Sequence, residues 1–414
     1  MIATSGLHER STGPKHAVDL LHDVARRCDF SLSIETTGRM LETSSCLLTD
    51  SLGRSSIGRG KGIGEQSLAS AISEALEHYF HSYENNVSEI STQRFQFSTS
   101  HYLERASPDF QLIFGEEPVT FDCFEFASFC SGYSSLAFPA VLQNPAYRSQ
   151  GTTERDVVQT SRIFRYATNS GTATGLSQQD ACLHGLLETI ERDAIGLTLL
   201  RSVVASKPSA VREIEPTSLL PETAKLSALV ASEAGATAIQ LWDITSDTNI
   251  PTILCGLELE TSLGSFRYFG SGTSLSAAYA VERALLESLQ GYHVHQNLGG
   301  FELSPVDPNP EDKMSLYRRC ELDAGYFEVR GGRQLIDFAT IPNYGAMAIP
   351  DQITFIVNRL NKIGCPAYSR SIYRSPQFAV EQVIVPNFER FYLVAHGISV
   401  APSWRGRQLL ETAV

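Results

Sequence analysis

Three groups of side chains at helical spacing are the first features of this sequence that could do chemistry. Glu74 and Glu77 stand one helical turn apart in SLASAISEALEHYFHSY, as do Glu188 and Glu191 in SQQDACLHGLLETIERDAIGLTLL. Arg283, Glu287 and Gln290 keep the same kind of spacing in LSAAYAVERALLESLQGYHVH. Residues three or four apart project from one face of an α-helix, so each stretch presents a carboxylate-bearing face. If the three faces converge, the carboxylates repel one another unless protons or cations compensate them. Hard oxygen ligands of this kind favour magnesium over zinc or copper. The plainer alternative is a set of solvated glutamates on amphipathic helices, the common setting of acidic residues. Against it, these glutamates lie among Ala, Leu and Ile, and the arrangement occurs three times.

The elements that must position these groups also repeat. SSCLLTDSLGRSSIGRGKGIG precedes the first helical stretch, FRYATNSGTATG the second and SFRYFGSGTS the third, each reading as a strand and a Gly/Ser loop. Ser177 and Ser276 precede Glu188 and Glu287 by the same interval, and Ala181 and Ala280 keep that register. The first unit matches less well and aligns Ser70 with those alanines and Glu77 with the glutamates. The expectation is three related strand–loop–helix units, the first divergent. Glycine-rich turns at helix N-termini can hold phosphate through backbone N–H groups and the helix dipole, with Lys61 and Arg59 adding charge in the first unit. SSIGRGKGIG is neither a Walker loop nor a G-x-G-x-x-G turn. A loop of this composition, taken alone, is more often just a flexible turn.

Around these units, HAVDLLHDVARRC reads as an N-terminal helix from His16 to Cys28, and TAIQLWDITSDTNIPTILCGLELE as two β-rich runs forming a hairpin. SPVDPNPEDK, from Ser304 to Lys313, reads as a linker or surface loop, and QFAVEQVIVPNFERFYLV supplies another strand. The fold class expected is α/β or α+β, mixed sheets with packed helices. Residues 1–50 are expected to form a short helical segment and 51–414 one composite domain.

The 414 residues suffice for substantial buried cores, and the hydrophobic share of 42% with 19% charged residues is that of a globular protein. A net charge of -13 argues against a nucleic-acid partner held by phosphate contacts. Eight scattered cysteines show no zinc-binding spacing and read as buried thiols of a cytoplasmic protein. No signal peptide or membrane-spanning run is evident. His184, one turn before Glu188, reads as either an acid/base group or a satisfied core histidine, the latter being commoner. Cys182 has no neighbour in sequence that would activate it.

SLASAISEALEHY, NSGTATGLSQQDACLHGLLETIERD and ERALLESLQ together resemble the three nucleotide-binding motifs of the YcaO superfamily, in matching order. WDITSDTNIPT is similar to the segment between its second and third motifs. The resemblance covers most of the chain from Ser51 to Gln290, and the middle motif is the most specific. It implies a YcaO-like fold with an ATP and magnesium site that has no P-loop. Glu74, Glu77, Glu188, Glu191 and Glu287 would be magnesium or phosphate-organising ligands. Lys61, Ser70, Asn169, Arg192, Arg283 and Gln290 would contact ATP or position those ligands. Asp180 stands where the family often has Glu, His78 replaces a frequent arginine and Leu176 a frequent Asn. The resemblance assigns no catalytic acid, base or nucleophile.

It also implies ATP-dependent activation of a peptide backbone amide during modification of a ribosomally made precursor peptide. Cys, Ser or Thr of the substrate would yield an azoline, and an external sulfur donor a thioamide. APSWRGRQLLETAV lacks the proline-rich tail of many azoline-forming members, and VIVPNFERF is similar to a segment of members that work with TfuA proteins. Both features tilt the expectation towards thioamide formation. The alternatives are an azoline-forming cyclodehydratase subunit with a ubiquitin-activating-enzyme-like partner, and a non-catalytic nucleotide-binding scaffold. No leader-binding domain is evident before Ser51, so a partner protein is expected to recruit the peptide. The sequence leaves room for a homo-oligomer.

Overall fold

Proline lacks the N–H that a helix start leaves unpaired, and the chain enters helix α1 (Pro14–Arg27) at such a residue. The computed structural model describes residues 9–83, 90–95, 110, 113–114, 119–130, 134–147, 163–205, 211–261, 264–297, 320, 322 and 334–413. After α1 come strands β1 (Ser31–Thr37), β2 (Glu42–Thr49) and β3 (Ser55–Gly62), then helix α2 (Glu65–Ser82). Strands β4 (Ile90–Phe95), β5 (Val119–Ser128), β6 (Leu136–Pro139) and β7 (Thr172–Gly175) precede the long helix α3 (Gln178–Leu199). The chain continues through β8 (Arg212–Ile214), α4 (Pro221–Ala234), β9 (Ala238–Asp243), β10 (Thr252–Thr261), β11 (Gly264–Thr273) and α5 (Ala277–Asn297). β12 (Gln334–Ile336), α6 (Ile349–Lys362), β13 (Tyr368–Ser375), β14 (Phe378–Ile384) and α7 (Trp404–Ala413) follow. The linker expected at Ser304–Lys313 lies outside the described residues.

Among the described residues the strands form three sheets, in the orders β1-β2-β3, β11-β10-β9-β8-β12 and β4-β5-β13-β14-β7, with β6 beside β5. Among the described residues the pairing of β12 with β8 is parallel and the others are antiparallel. The mixed α/β class and the β9–β10 hairpin are as expected. β1 pairs with β2, and β2 pairs with β3 across the boundary expected at residue 50, so the first fifty residues contribute two strands as well as a helix.

The Gly/Ser loops are the main departure. SSIGRGKG is strand β3, and the third unit's SFRYFGSGT belongs to β11. Their glycines alternate because successive strand residues face opposite sides of a sheet. A Cβ at Gly58 or Gly60 would overlap the α2 backbone at Ala75, Ala71 or Ser67, and one at Gly270 or Gly272 the α5 backbone at Ser288, Ala284 or Ala280. At Gly175 it would overlap Ala181 of α3. The glycines therefore bring each helix into backbone contact with its own strand, and do not form phosphate-binding turns.

This docking also corrects the alignment of the units. Gly60, Gly175 and Gly272 meet the backbone amides of Ala71, Ala181 and Ala284, and the side-chain carbons of Ser70, Asp180 and Arg283. Gly58 and Gly270 abut Glu74 and Glu287 in turn. Glu74, His184 and Glu287 are thus the spatially matched set, where sequence spacing pairs Glu77, Glu188 and Glu287. The sequence alignment lies one turn away because a slip of three or four residues preserves a helix's apolar face.

Gly270→Ala places a methyl against the Ser288 amide and should destabilise the fold by about 2 kcal/mol or more. Gly291→Ala lies on α5, the helix that carries Ser288, but meets only Tyr268, at 3.7 Å from its ring, and should be neutral or mildly stabilising. Denaturant unfolding of both variants checks the contrast.

Candidate active site

The docked helices bring together every residue singled out for ATP or metal binding. Lys61 stands near the end of β3, while Ser70, Glu74 and Glu77 come from α2. Glu188, Glu191 and Arg192 come from α3, and Arg283, Glu287 and Gln290 from α5. Asn169 lies on the loop before β7. All of them line one cleft of about 580 Å³. The size suits a nucleotide-sized ligand. Among the described residues six carboxylates and five Lys or Arg side chains share this lining, with Glu282, Arg10 and Arg59 beside those named.

Contacts within the cleft cross between units. Lys61 of the first unit pairs with Glu287 of the third. Arg192 lies 3.8 Å from Glu188 on its own helix, and Arg283 lies 3.8 Å from Glu9 of the N-terminal segment. Ser271 of β11 donates to Glu191 Oε1 at 2.8 Å. Glu191 Oε2 is buried without a hydrogen-bond partner, a costly condition for a carboxylate unless a cation supplies the missing contact.

Burial dominates the electrostatics. It raises Glu77 well above the ordinary carboxylate range, with repulsion from Glu188 and Glu74 adding to it. Glu188 is pushed up to about 7 by burial and by Glu191, against the pull of Arg192. Glu74 is raised by burial despite His78 and Lys61. Glu287 is the exception, because Lys61 and Arg192 outweigh its burial and lower it. Among the described residues no three His, Cys, Asp or Glu side chains close into a ready-made cage. The donor set instead fits magnesium, which keeps several waters and is held by one or two carboxylates together with phosphate oxygens.

Neither alternative chemistry gains support. His184 lines the cleft, but burial and the nearby Arg283, Arg10 and Lys61 depress it to about 3, so it is neutral near pH 7. Cys182 is buried away from the lining, its thiol pushed up to about 12 chiefly by burial. Asp180 accepts from the backbone and hydroxyl of Ser11, at 3.1 and 2.6 Å, and from the Ser177 hydroxyl at 2.9 Å. It anchors the N-terminal segment to the first turn of α3.

A family model described as YcaO cyclodehydratase, ATP- and Mg2+-binding, matches residues 59–389. The chain belongs to the YcaO family. ATP and magnesium are accordingly its cofactors. The YcaO fold is also seen in solved structures. YcaO from Methanopyrus kandleri, bound with AMPPCP and Mg2+, aligns with a TM-score of 0.68 and 16% identity over 97% of this chain and 98% of that one. A heterocyclase in complex with substrate and cofactor aligns with a TM-score of 0.64 and 18% identity over 92% of this chain and 52% of its own. The heterocyclase TruD aligns at 0.55 and 17% over 78% and 47%. This YcaO chain thus spans about half the length of those two heterocyclases. No curated protein matches it. Among the described residues no helix is long and apolar enough to cross a membrane.

The cleft also holds residues that the sequence reading passed over. Tyr279 and Leu286 stand one helical turn to either side of Arg283 and were open to recognition on that ground, and Glu282 stands one turn from each of those two. Arg10, Tyr392, Leu393, His396 and Ile398 arrive from the two ends of the described chain, and no local pattern marks them.

The raised carboxyls set a sign for pH dependence. A group whose folded-state value exceeds its ordinary 4.5 stabilises the fold when protonated, and that contribution is lost as pH rises through the folded value. The melting temperature of metal-free protein should therefore fall as pH rises from about 4.5 to above about 7, with Mg2+ restoring more of it at about pH 8 than at about pH 5.5. Thermal unfolding across that range with and without Mg2+ checks both trends.

Proposed function

We propose that this YcaO protein uses ATP and magnesium to O-phosphorylate a backbone amide of a ribosomally made precursor peptide, with thioamide formation the preferred outcome. The observation that carries this reading is the convergence of Glu74, Glu77, Glu188, Glu191 and Glu287 with Lys61, Arg192 and Arg283 on one cleft. Among the described residues no cysteine lines that cleft, and its buried His184 is neutral, so the site is suited to placing charges rather than to covalent catalysis by the protein. Phosphoryl transfer needs this kind of site, since positioning and charge neutralisation supply most of its acceleration.

In the proposed reaction a nucleophile adds to the amide carbonyl carbon, and the oxyanion formed attacks the γ-phosphorus of ATP with release of ADP. Collapse then breaks the carbon–oxygen bond and expels phosphate carrying the former carbonyl oxygen. Lys61, Arg192 and Arg283 would neutralise the phosphates, and the glutamates would hold magnesium, whose contribution is to offset charge on the transferred group. Asn169, Ser70 and Gln290 would orient the nucleotide.

The thioamide preference rests on the TfuA-linked resemblance of VIVPNFERF. Val385, Phe388, Glu389 and Arg390 in that segment are buried, so a TfuA-like partner would not contact it directly in this conformation. Azoline formation with a ubiquitin-activating-enzyme-like partner is the second reading. Its support is the likeness to two heterocyclases, one of them in complex with substrate.

Glu188→Gln should weaken binding of a non-hydrolysable ATP analogue with Mg2+ by about tenfold or more, by removing a charged ligand. Calorimetry giving equal, Mg2+-independent affinities for both proteins would sink the reading. Mass spectrometry of precursor peptides co-expressed with the protein and candidate partners separates the products. Replacement of oxygen by sulfur supports the thioamide, loss of water the azoline.

A further inference from the structure

The short helical turn from Phe391 to His396 forms part of the cleft wall and carries Tyr392. Its hydroxyl lies 2.7 Å from Thr168 Oγ1 and 3.0 Å from Ser170 Oγ, and those two are themselves 3.0 Å apart. The three hydroxyls form a triangle around the loop whose middle residue is Asn169. The Ser170 amide also donates to Thr168 Oγ1, at 3.0 Å, and the Thr172 amide donates to the Asn169 carbonyl at 3.0 Å. The Tyr392 ring carries the Arg192 guanidinium 5.9 Å from its centroid. One side chain thus touches both an Asn and an Arg element of the cleft.

Tyr392 is itself held firmly. Glu389 accepts from the amides of Arg390 and Phe391, both at 2.9 Å, and from the Ser403 hydroxyl at 2.7 Å. The Glu389 amide donates to Asp193 Oδ1 at 2.8 Å, next to Arg192 in sequence. Arg405 binds Asp193 from the far side, with Nε and Nη2 at 3.1 and 3.0 Å from its two oxygens. Arg390 Nη1 donates to the Tyr166 carbonyl at 2.8 Å, just before the Asn169 loop. The segment is tied to α3 and to that loop on both sides of Tyr392.

We propose that Tyr392 is a positioning residue for nucleotide binding, fixing Asn169 through its hydroxyl and Arg192 through its ring. The inference rests on the reading that Asn169 and Arg192 contact ATP with magnesium. Tyr392→Phe keeps the ring and removes two hydroxyl contacts, each of modest worth when satisfied. Its affinity for a non-hydrolysable ATP analogue with Mg2+ should fall about tenfold. In an Asn169→Ala background the same substitution should cost almost nothing, because the loop it orders no longer carries the binding group. Tyr392→Leu, which also removes the ring beside Arg192, should lose more than Tyr392→Phe.

Calorimetry on the wild type, Asn169→Ala, Tyr392→Phe, Tyr392→Leu and the Asn169→Ala/Tyr392→Phe double variant decides it. Unchanged affinity in Tyr392→Phe overturns the proposal. A full loss repeated in the double variant also overturns it, since additive effects indicate a merely structural role. Unchanged binding by Asn169→Ala overturns it while leaving the amide-activation reading intact. A wild type that does not bind the nucleotide overturns both.

Discussion

Backbone-to-backbone docking of helices on strands is the constraint from which the cleft follows. Wherever a side chain would otherwise keep helix and strand apart, the strand offers glycine, at Gly58 and Gly60 under α2, Gly175 under α3, and Gly270 and Gly272 under α5. Each contact sets the height of its helix on its strand as well as its distance, because an overlap of this kind leaves no room to slide by a turn. Glu74 and Glu287 consequently stand in the same register on different helices, and Lys61 can span from one unit to the other. The same arrangement puts His184 in the matched place on α3. There the carboxylates give way to a neutral ring.

Bringing so many carboxylates together costs energy, and the structure distributes the offset among several elements. Arg192 comes from the same helix as Glu188, Lys61 from a strand of another unit, and Arg283 faces Glu9 of the N-terminal segment. The compensation is incomplete at Glu77 and Glu188, whose raised values mark where a cation is most needed. Behind the cleft, Asp193 and Arg405 form a buried pair that extends to Asp247. Such pairs contribute little net stability compared with a well-packed apolar core, but breaking one leaves an uncompensated charge. The Asp193 pair joins the C-terminal wall to α3 beside the turn bearing Glu191 and Arg192.

The sequence by itself determined the chemistry available to this protein. The glutamates and arginines at helical spacing, the three repeated units and the YcaO motifs were all legible, since a period of three to four residues shows which side chains share a face. The absence of an activating neighbour beside Cys182 in sequence and the β9–β10 hairpin were legible as well, because each is a local property. Tertiary structure alone decided the rest. Alternating glycines look the same to composition whether they form a loop or a strand under a helix, and only the helix lying on Gly58 and Gly60 distinguishes the two. A slip of one turn leaves the apolar face unchanged, so the register that matches Glu74, His184 and Glu287 came from steric contact. Tyr392 and Arg10 reach the cleft across long stretches of chain, and no periodic signal extends over such a separation.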